Sequence, residues 1–336
     1  DDDRTVAEAL QAAGYVSGAM GKWGIGEPGT AGTPNRRGFT EWFGYLNQNH
    51  APYYYTDFLW RNEAKQMIPE NSGGRRGRYS HDLLTDEAVA FLRRHQQQPF
   101  FLYLPFTIPH RRFEVPSLDW YAQEAWPEEA KIFAAMVTRL DHDVGRVLDE
   151  LDQLGLGPNT ILFFTSDNGA EKKPFGKLFQ SGGPFRGDKG TVYEGGLRVP
   201  MLVRWPGKVP AGKVSSTPWW FADVFPTLLA IAGAKEEKAK LDGRDVLPTL
   251  RGEAQPALAG RHFYWEDPGK VLSQAVRQGD WKAVRLARNA PLELYDLKSD
   301  PGETRNVAAS HPQVTADFAH FLETARTPSP HWPDGP

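Results

Sequence analysis

The chain has 336 residues, 40% of them hydrophobic, enough for one large domain or for one large and one small. A net charge of −3, with 24% charged residues, provides no global attraction to nucleic acid or to an anionic membrane. The absence of cysteine excludes disulfides, thiolate metal sites and a cysteine nucleophile within these residues, and the longest apolar runs, such as Phe100 to Phe106, are too short to span a bilayer.

Asp1-Asp2-Asp3 reads as an acidic turn before a helix. Thr5-Val6-Ala7-Glu8 is a capping box, Leu10 and Ala13 extend the apolar face, and Gly14 stands where a helix stops. A strand is expected over Tyr15 to Met20, running into Gly21-Lys22-Trp23-Gly24. Residues 25–80, rich in Gly, Pro, Asn and Tyr, read as long structured loops, which in a compact domain mark a binding surface. Within them, Gly73-Gly74-Arg75-Arg76-Gly77-Arg78 reads as a solvated surface loop.

A second helix is predicted from His81 to His95. Phe100 to Leu104 then reads as a strand buried on both faces, leading to Pro109-His110. A third helix is predicted over Pro127 to Leu154, with Val137, Leu140, Val144, Val147, Leu148 and Leu151 facing the core. Ile161 to Phe164 is a further buried strand, running into Thr165-Ser166-Asp167-Asn168-Gly169. Val199 to Val203 reads as a strand and Phe221 to Ala232 as a helix. This alternation argues for an α/β fold with a largely parallel or mixed sheet flanked by helices. Towards the C-terminus, short strands at Ser273 to Val276, Trp281 to Leu286 and Leu292 to Tyr295, then a helix over Pro312 to Ala325 and a proline-rich tail, predict a small antiparallel sheet with one covering helix. The domain boundary is placed at 255/256: a catalytic-type domain over 1–255 and an α+β subdomain over 256–336. No internal repeat is visible.

In open α/β sheets, ligands bind beyond the carboxyl ends of the strands. Lys22, His110 and the pair Asp167-Asn168 each fall just after a strand, and Lys189 lies in the loop before the next. Together they suit a tetrahedral anion beside a hard cation, because a carboxylate and an amide oxygen match calcium or magnesium. Each residue alone also has a plainer reading. Asp-Asn-Gly is ordinary turn chemistry, Lys22 beside Trp23 fits a snorkelling surface lysine, His110 fits a satisfied loop histidine, and Lys189 near Arg186 and Asp188 fits a solvated loop.

The stretches Gly21-Lys22-Trp23, Thr107-Ile108-Pro109-His110, Thr165-Ser166-Asp167-Asn168-Gly169 and Arg186 to Pro200, followed by Gly279-Asp280-Trp281-Lys282 and Glu293 to Asn306, resemble sulfatases in order and spacing. The resemblance covers essentially the whole chain. It implies an alkaline-phosphatase-like fold and hydrolysis of a sulfate ester by the hydrate of a formylglycine. It also implies calcium at Asp167 and Asn168, charge neutralisation by Lys22 and Lys189, and a hydrogen bond from His110 to the leaving oxygen. The expected partner is a sulfated small molecule or glycan, with no nucleic acid and no membrane span, and the expected location is periplasmic or extracellular. Oligomeric state is not legible.

The sequence departs from the family in three ways. Gly24 stands where many sulfatases have histidine, as in a subgroup in which a His-Ala-His stretch follows; here it is His50-Ala51-Pro52, so His50 joins the candidates, with a loop-packing histidine as the alternative. Neither the acidic metal pair nor the Cys/Ser-x-Pro-x-Arg nucleophile motif is found near Lys22, and Gly32-Thr33-Pro34-Asn35-Arg36 is a chance likeness to the latter. A divalent ion on Asp167 and Asn168 alone is therefore expected to bind weakly, a sheet edge is expected to lie open, and little turnover is expected of this polypeptide by itself. A non-catalytic anionic-glycan-binding relative and a phosphate-ester or phosphonate hydrolase are the competing readings.

Overall fold

The computed structural model describes residues 3–234, 241–267 and 271–327. Asp1 and Asp2 of the acidic turn and the proline-rich tail beyond residue 327 lie outside them. In chain order the regular elements begin α1 Val6–Ala12, β1 Val16–Lys22, β2 Glu41–Tyr45, β3 Phe58–Arg61, β4 Ala64–Met67, α2 Ser80–His95, β5 Phe100–Tyr103 and α3 Glu128–Gln153. They continue with β6 Leu162–Thr165, α4 Gly176–Phe179, α5 Glu194–Leu197, β7 Met201–Arg204, α6 Val224–Ala232 and α7 Leu247–Leu250. The last are β8 His262–Asp267, β9 Ser273–Gln278, β10 Trp281–Arg285, β11 Glu293–Asp296 and α8 Pro312–Thr324. The chain divides into two compact units: Asp1–Thr160 with Trp205–Gly207 and Phe221–Leu247, and Ile161–Arg204 with Lys208–Trp220 and Pro248–Pro336.

The first unit is built on a mixed sheet of order β4-β3-β2-β1-β5. β1 runs parallel to both β2 and β5, whereas β2–β3 and β3–β4 are antiparallel. α1 starts at a complete capping box, Thr5 Oγ1 accepting from the Glu8 N–H and Glu8 accepting from the Thr5 N–H, and turns out of the helix at Gly14 with φ +88°. α2 lies on the sheet so closely that a Cβ at Gly18 would sit 2.6 Å from the Phe91 ring. β1 and β2 approach as tightly, since a Cβ at Gly44 would come within 1.9 Å of the Gly21 carbonyl oxygen. Met20, Phe43, Tyr45, Leu59, Leu84 and Phe91 fill the core between them.

Three expectations change here. Residues 25–80 are not all loop, because they contain β2, β3 and β4. Glycine inside β2 and the exposed Ala-Lys-Gln-Met of β4 hide the alternation that marks a strand. β5 is not buried on both faces: it is the outermost strand, and Tyr103 is 45% exposed. α3 buries Val147 and Leu151 as expected, but Val137 is exposed, and Ala134, Met136 and Asp143 widen the buried stripe. The cause is polar: buried Asp143 faces His81 and Thr85 of α2, and the pairs Arg139–Asp82, Arg146–Asp86 and Arg93–Glu150 join the same two helices.

The second unit contains the antiparallel pair β6–β7 and an antiparallel sheet of order β11-β10-β9-β8, covered by α8 through Phe318 and Leu322. The small C-terminal sheet with one helix thus stands as expected, with β8 an additional strand whose aromatic and acidic residues carry no clean alternation. On its other face the sheet packs Ala275, Val284 and Tyr295 against Val192 and Tyr193. The Ile161 to Phe164 segment pairs antiparallel with β7, and its residues are half-buried rather than fully enclosed.

Candidate functional site

In the first unit, Lys22 is the last residue of β1, and the β1–β5 pairing brings the segment after β5 to the same end of the sheet. The Lys22 N–H donates to the Pro105 carbonyl (2.8 Å), fixing where its side chain leaves the backbone. Lys22, Gln48, Ala51, Pro52, Thr107 and His110 line a small open cleft there. Half-buried Lys22 makes no ion pair among the described residues. His110 Nδ1 lies 2.6 Å from the Arg111 carbonyl. A carbonyl only accepts, so Nδ1 carries the proton and Nε2 is left for a ligand. Thr107 is 5% exposed, and its hydroxyl has no hydrogen-bond partner among the described residues. A buried hydroxyl without a partner carries a desolvation cost that a ligand oxygen would relieve.

The loops that frame this cleft are fastened to each other. Tyr54, fully buried, donates its hydroxyl hydrogen towards the carbonyls of His110 (2.7 Å) and Thr107 (3.2 Å). Tyr45 donates to the Tyr53 carbonyl (2.9 Å). Burial pushes the Tyr54 and Tyr45 phenols far above their ordinary range, so both remain donors at any physiological pH.

His50 sits elsewhere. Its ring is wedged against Tyr45 (4.8 Å) and Phe58 (4.5 Å), and Nε2 lies 2.6 Å from Thr56 Oγ1. The Thr56 hydroxyl itself donates to the Phe58 carbonyl (3.0 Å), so His50 Nε2 is the donor to Thr56, and burial lowers the ring's pKa and keeps it neutral. It is not among the residues lining the cleft. Gln48 is there instead. Gly24 has φ +116°, and a Cβ on it would lie 2.4 Å from Gln48 Nε2, so the glutamine amide fills the space that a side chain at 24 would enter. Gln48 and the Thr107 hydroxyl were not singled out by sequence reasoning; Gly24 next to Lys22 was the signal that a polar group arrives there from another segment.

In the second unit, Asp167 and Asn168 follow β6 directly. The Lys189 N–H donates to the Ala170 carbonyl (3.2 Å), which sets the Lys189 loop beside the Asp167 turn. Gly169 is held against the Glu194–Leu197 turn, where its N–H donates to the Gly196 carbonyl (2.9 Å) and a Cβ would meet the Gly195 oxygen at 2.0 Å. Asn168 donates its amide to the Gly169 carbonyl (3.0 Å), leaving Oδ1 available. Asp167 and Lys189 are exposed and make no ion pair among the described residues. Arg186, by contrast, is committed to structure, stacked on Tyr193 at 4.0 Å and bonded to the Tyr295 hydroxyl (2.8 Å). Asp167 and Asn168 offer two hard oxygens where calcium takes roughly six to eight, and no group of three or more His, Cys, Asp or Glu residues among the described residues is arranged for a metal. The donor type fits such an ion; the number of donors does not.

These two clusters lie on a mixed α/β sheet and an antiparallel strand pair of the alkaline-phosphatase-like fold, and sulfatases of known structure share it. Residues 1–234 match the family described as Sulfatase, and residues 185–327 match that described as N-sulphoglucosamine sulphohydrolase, C-terminal. The chain belongs to the sulfatase family. It is 34% identical over 335 residues to N-acetylgalactosamine-6-sulfatase of Canis lupus familiaris, covering 93% of this chain and 60% of that protein. It is 35% identical over 284 residues to steryl-sulfatase of Mus musculus, covering 74% of this chain and 43% of that protein. The crystal structure of Ps i-CgsB superposes with a TM-score of 0.84 at 29% identity, covering 96% of this chain and 74% of that one; the same protein is known in complex with k-i-k-neocarrahexaose. The chain thus spans about half the length of these two curated relatives. No helix among the described residues is long and apolar enough to cross a membrane.

Proposed function

We propose that the chain is the larger part of an enzyme that hydrolyses the sulfate ester of a sulfated sugar. The observation that carries this reading is the cleft at the end of β1, lined by Lys22, which makes no ion pair among the described residues, by His110, and by Thr107, whose buried hydroxyl has no partner among the described residues. A sulfate ester suits this set: Lys22 neutralises the sulfate charge, Thr107 donates to a sulfate oxygen, and His110, once its ring is protonated at both nitrogens, donates from Nε2 to the bridging oxygen as it leaves. The names of the similar proteins, a hexosamine-6-sulfatase and a carrageenan-oligosaccharide complex among them, favour a sugar as the alcohol.

Within the same reading, Lys189 contributes a second positive charge, and Asp167 and Asn168 contribute two oxygens to a calcium ion, which supplies Lewis acidity when bound. With two donors, this polypeptide alone binds calcium with a dissociation constant on the order of millimolar or weaker; calorimetry on Asp167→Asn separates such binding from nonspecific charge effects. The nucleophile belonging to this reading is a formylglycine, and the 336 residues hold neither cysteine nor Ser-x-Pro-x-Arg. The polypeptide by itself is therefore expected to bind a sulfated sugar without turning it over. Export to the periplasm or beyond goes with a sulfated-glycan substrate.

The test is calorimetric titration of the chain with glucosamine 6-sulfate, glucosamine 6-phosphate and glucosamine. Binding of the sulfate ester that is lost in Lys22→Ala and weakened in Thr107→Val supports the reading. Equal binding of all three sugars, or preference for the phosphate, overturns it.

A further inference from the structure

Beside the cleft stands a second cationic group that the proposed chemistry does not use. Arg112 lies two residues beyond His110, and its guanidinium carbon is 4.2 Å from the centre of the Tyr53 ring. Its Nη2 donates to the Tyr53 hydroxyl at 3.1 Å. Tyr53 follows Pro52, a cleft-lining residue, and is itself 46% exposed. Arg112 has no carboxylate partner among the described residues, although most other arginines of this unit are paired or tied to backbone oxygens.

An exposed arginine normally loses several rotatable bonds when it grips a ligand. Here that loss is already met by the fold. Tyr45 fixes the Tyr53 backbone, buried Tyr54 fastens the 53–55 segment to the His110 segment, and the Tyr53 ring then fixes Arg112 in orientation. One edge of the guanidinium is used on Tyr53, and Arg112 is exposed. A planar, preoriented, unneutralised guanidinium is suited to accept a carboxylate or a sulfate through two parallel hydrogen bonds.

We propose that Arg112, held by Tyr53, is a specificity-determining residue that recognises a second anionic group on the sugar, so that the substrate class is a saccharide carrying a carboxylate or a further sulfate next to the ester bound in the cleft. The proposal rests on the sulfate-ester reading of that cleft and adds to it a preference among sulfated sugars.

The experiment compares glucosamine 6-sulfate with glucosamine 2-N,6-O-disulfate as ligands for the full chain and for Arg112→Ala, Arg112→Lys and Tyr53→Phe. The wild-type chain is expected to bind the disulfate about tenfold more tightly, as charge-assisted bidentate recognition gives at an exposed site. Arg112→Ala removes that advantage and leaves monosulfate binding unchanged. Arg112→Lys keeps the charge but loses the planar fork, and Tyr53→Phe keeps the ring but loses the hydroxyl, so each retains part of the preference. A uronic acid sulfate in place of the disulfate separates a carboxylate reader from a sulfate reader. Equal affinity of wild type for both sugars, or a preference that survives in Arg112→Ala, overturns this proposal while the cleft assignment stands. Binding of neither sugar overturns both.

Discussion

At the scale of single residues, the candidate site is set by where strands end. Lys22, His110, Asp167, Asn168 and Lys189 all lie at strand ends or in the adjoining loop, and the structure places them in two groups, Lys22 with His110 and Asp167 with Asn168 and Lys189. His50 was drawn by a motif whose second histidine is Pro52, and its ring packs between Tyr45 and Phe58. What the sequence hid was contact at long range: nothing near residue 48 announces that its amide fills the space beside Gly24. That glycine yields a sharp expectation. At φ +116° a Cβ is strained whatever room it has, and here it would also press on Gln48. Gly24→Ala should cost roughly 1–3 kcal/mol in urea unfolding and weaken sugar binding by moving Gln48. An alanine variant as stable as the parent would show that the backbone relaxes there at no cost.

At the scale of elements, α1, α2, α3 and β1 were readable from caps and periodicity, whereas β2, β3, β4 and β8 were not, because glycine or charged residues break their alternation. The α2–α3 pair shows what aliphatic periodicity left out of the buried stripe of α3: it includes Asp143, 2% exposed, with His81 Nε2 3.1 Å away. Burial pushes the Asp143 carboxyl up, but His81, His142 and Arg146 outweigh it and hold it at about 2, against an ordinary 3.8. A carboxyl depressed by folding contributes stability that is complete above its unfolded value and lost as the pH falls through its folded one. Asp143 should therefore contribute about 2 kcal/mol at neutral pH that fades between pH 3.8 and about 2. Urea midpoints followed across that window should fall in the parent and stay flatter in Asp143→Asn. Parallel curves would deny Asp143 this role.

In the second unit the corresponding device is ionic and fully enclosed. Lys282 is completely buried, with Nζ 3.0 Å from Glu194 and 2.9 Å from Glu303. Glu303 also accepts the Glu194 N–H (2.7 Å), so the same cluster holds the turn that follows the Lys189 loop. Burial raises the Glu303 carboxyl above its ordinary value, whereas Glu194, also pushed up by burial, is drawn below its own by Lys282, Arg198 and Arg277. Removing the shared cation leaves two carboxylates enclosed without it, and Lys282→Met should cost roughly 3–5 kcal/mol. A melting curve of the methionine variant matching the parent would contradict this. The motif Gly-Asp-Trp-Lys made Lys282 visible in the sequence only as a family signature; its burial needed the fold.

At the scale of the whole molecule, the family and its fold class were legible because order and spacing of motifs survive where any single motif is ordinary. The strand arrangement was less so, since pairing partners far apart in sequence leave no local trace. β5 illustrates both points. Its aliphatic and aromatic run marked it as a strand, yet it pairs only with β1 among the described residues, and its far edge has no strand beside it. An edge of this kind, ending in half-exposed Tyr103, favours self-pairing, so the chain should associate as its concentration rises, and Tyr103→Lys should suppress this in sedimentation experiments. The same edge would also serve as a receptor. An extended peptide with alternating apolar residues, added in trans, could occupy it through main-chain hydrogen bonds and protect the folded state by mass action, with a melting temperature that climbs with peptide concentration. Completion of this sheet would then be a titratable event with a dissociation constant, measured like that of any ligand.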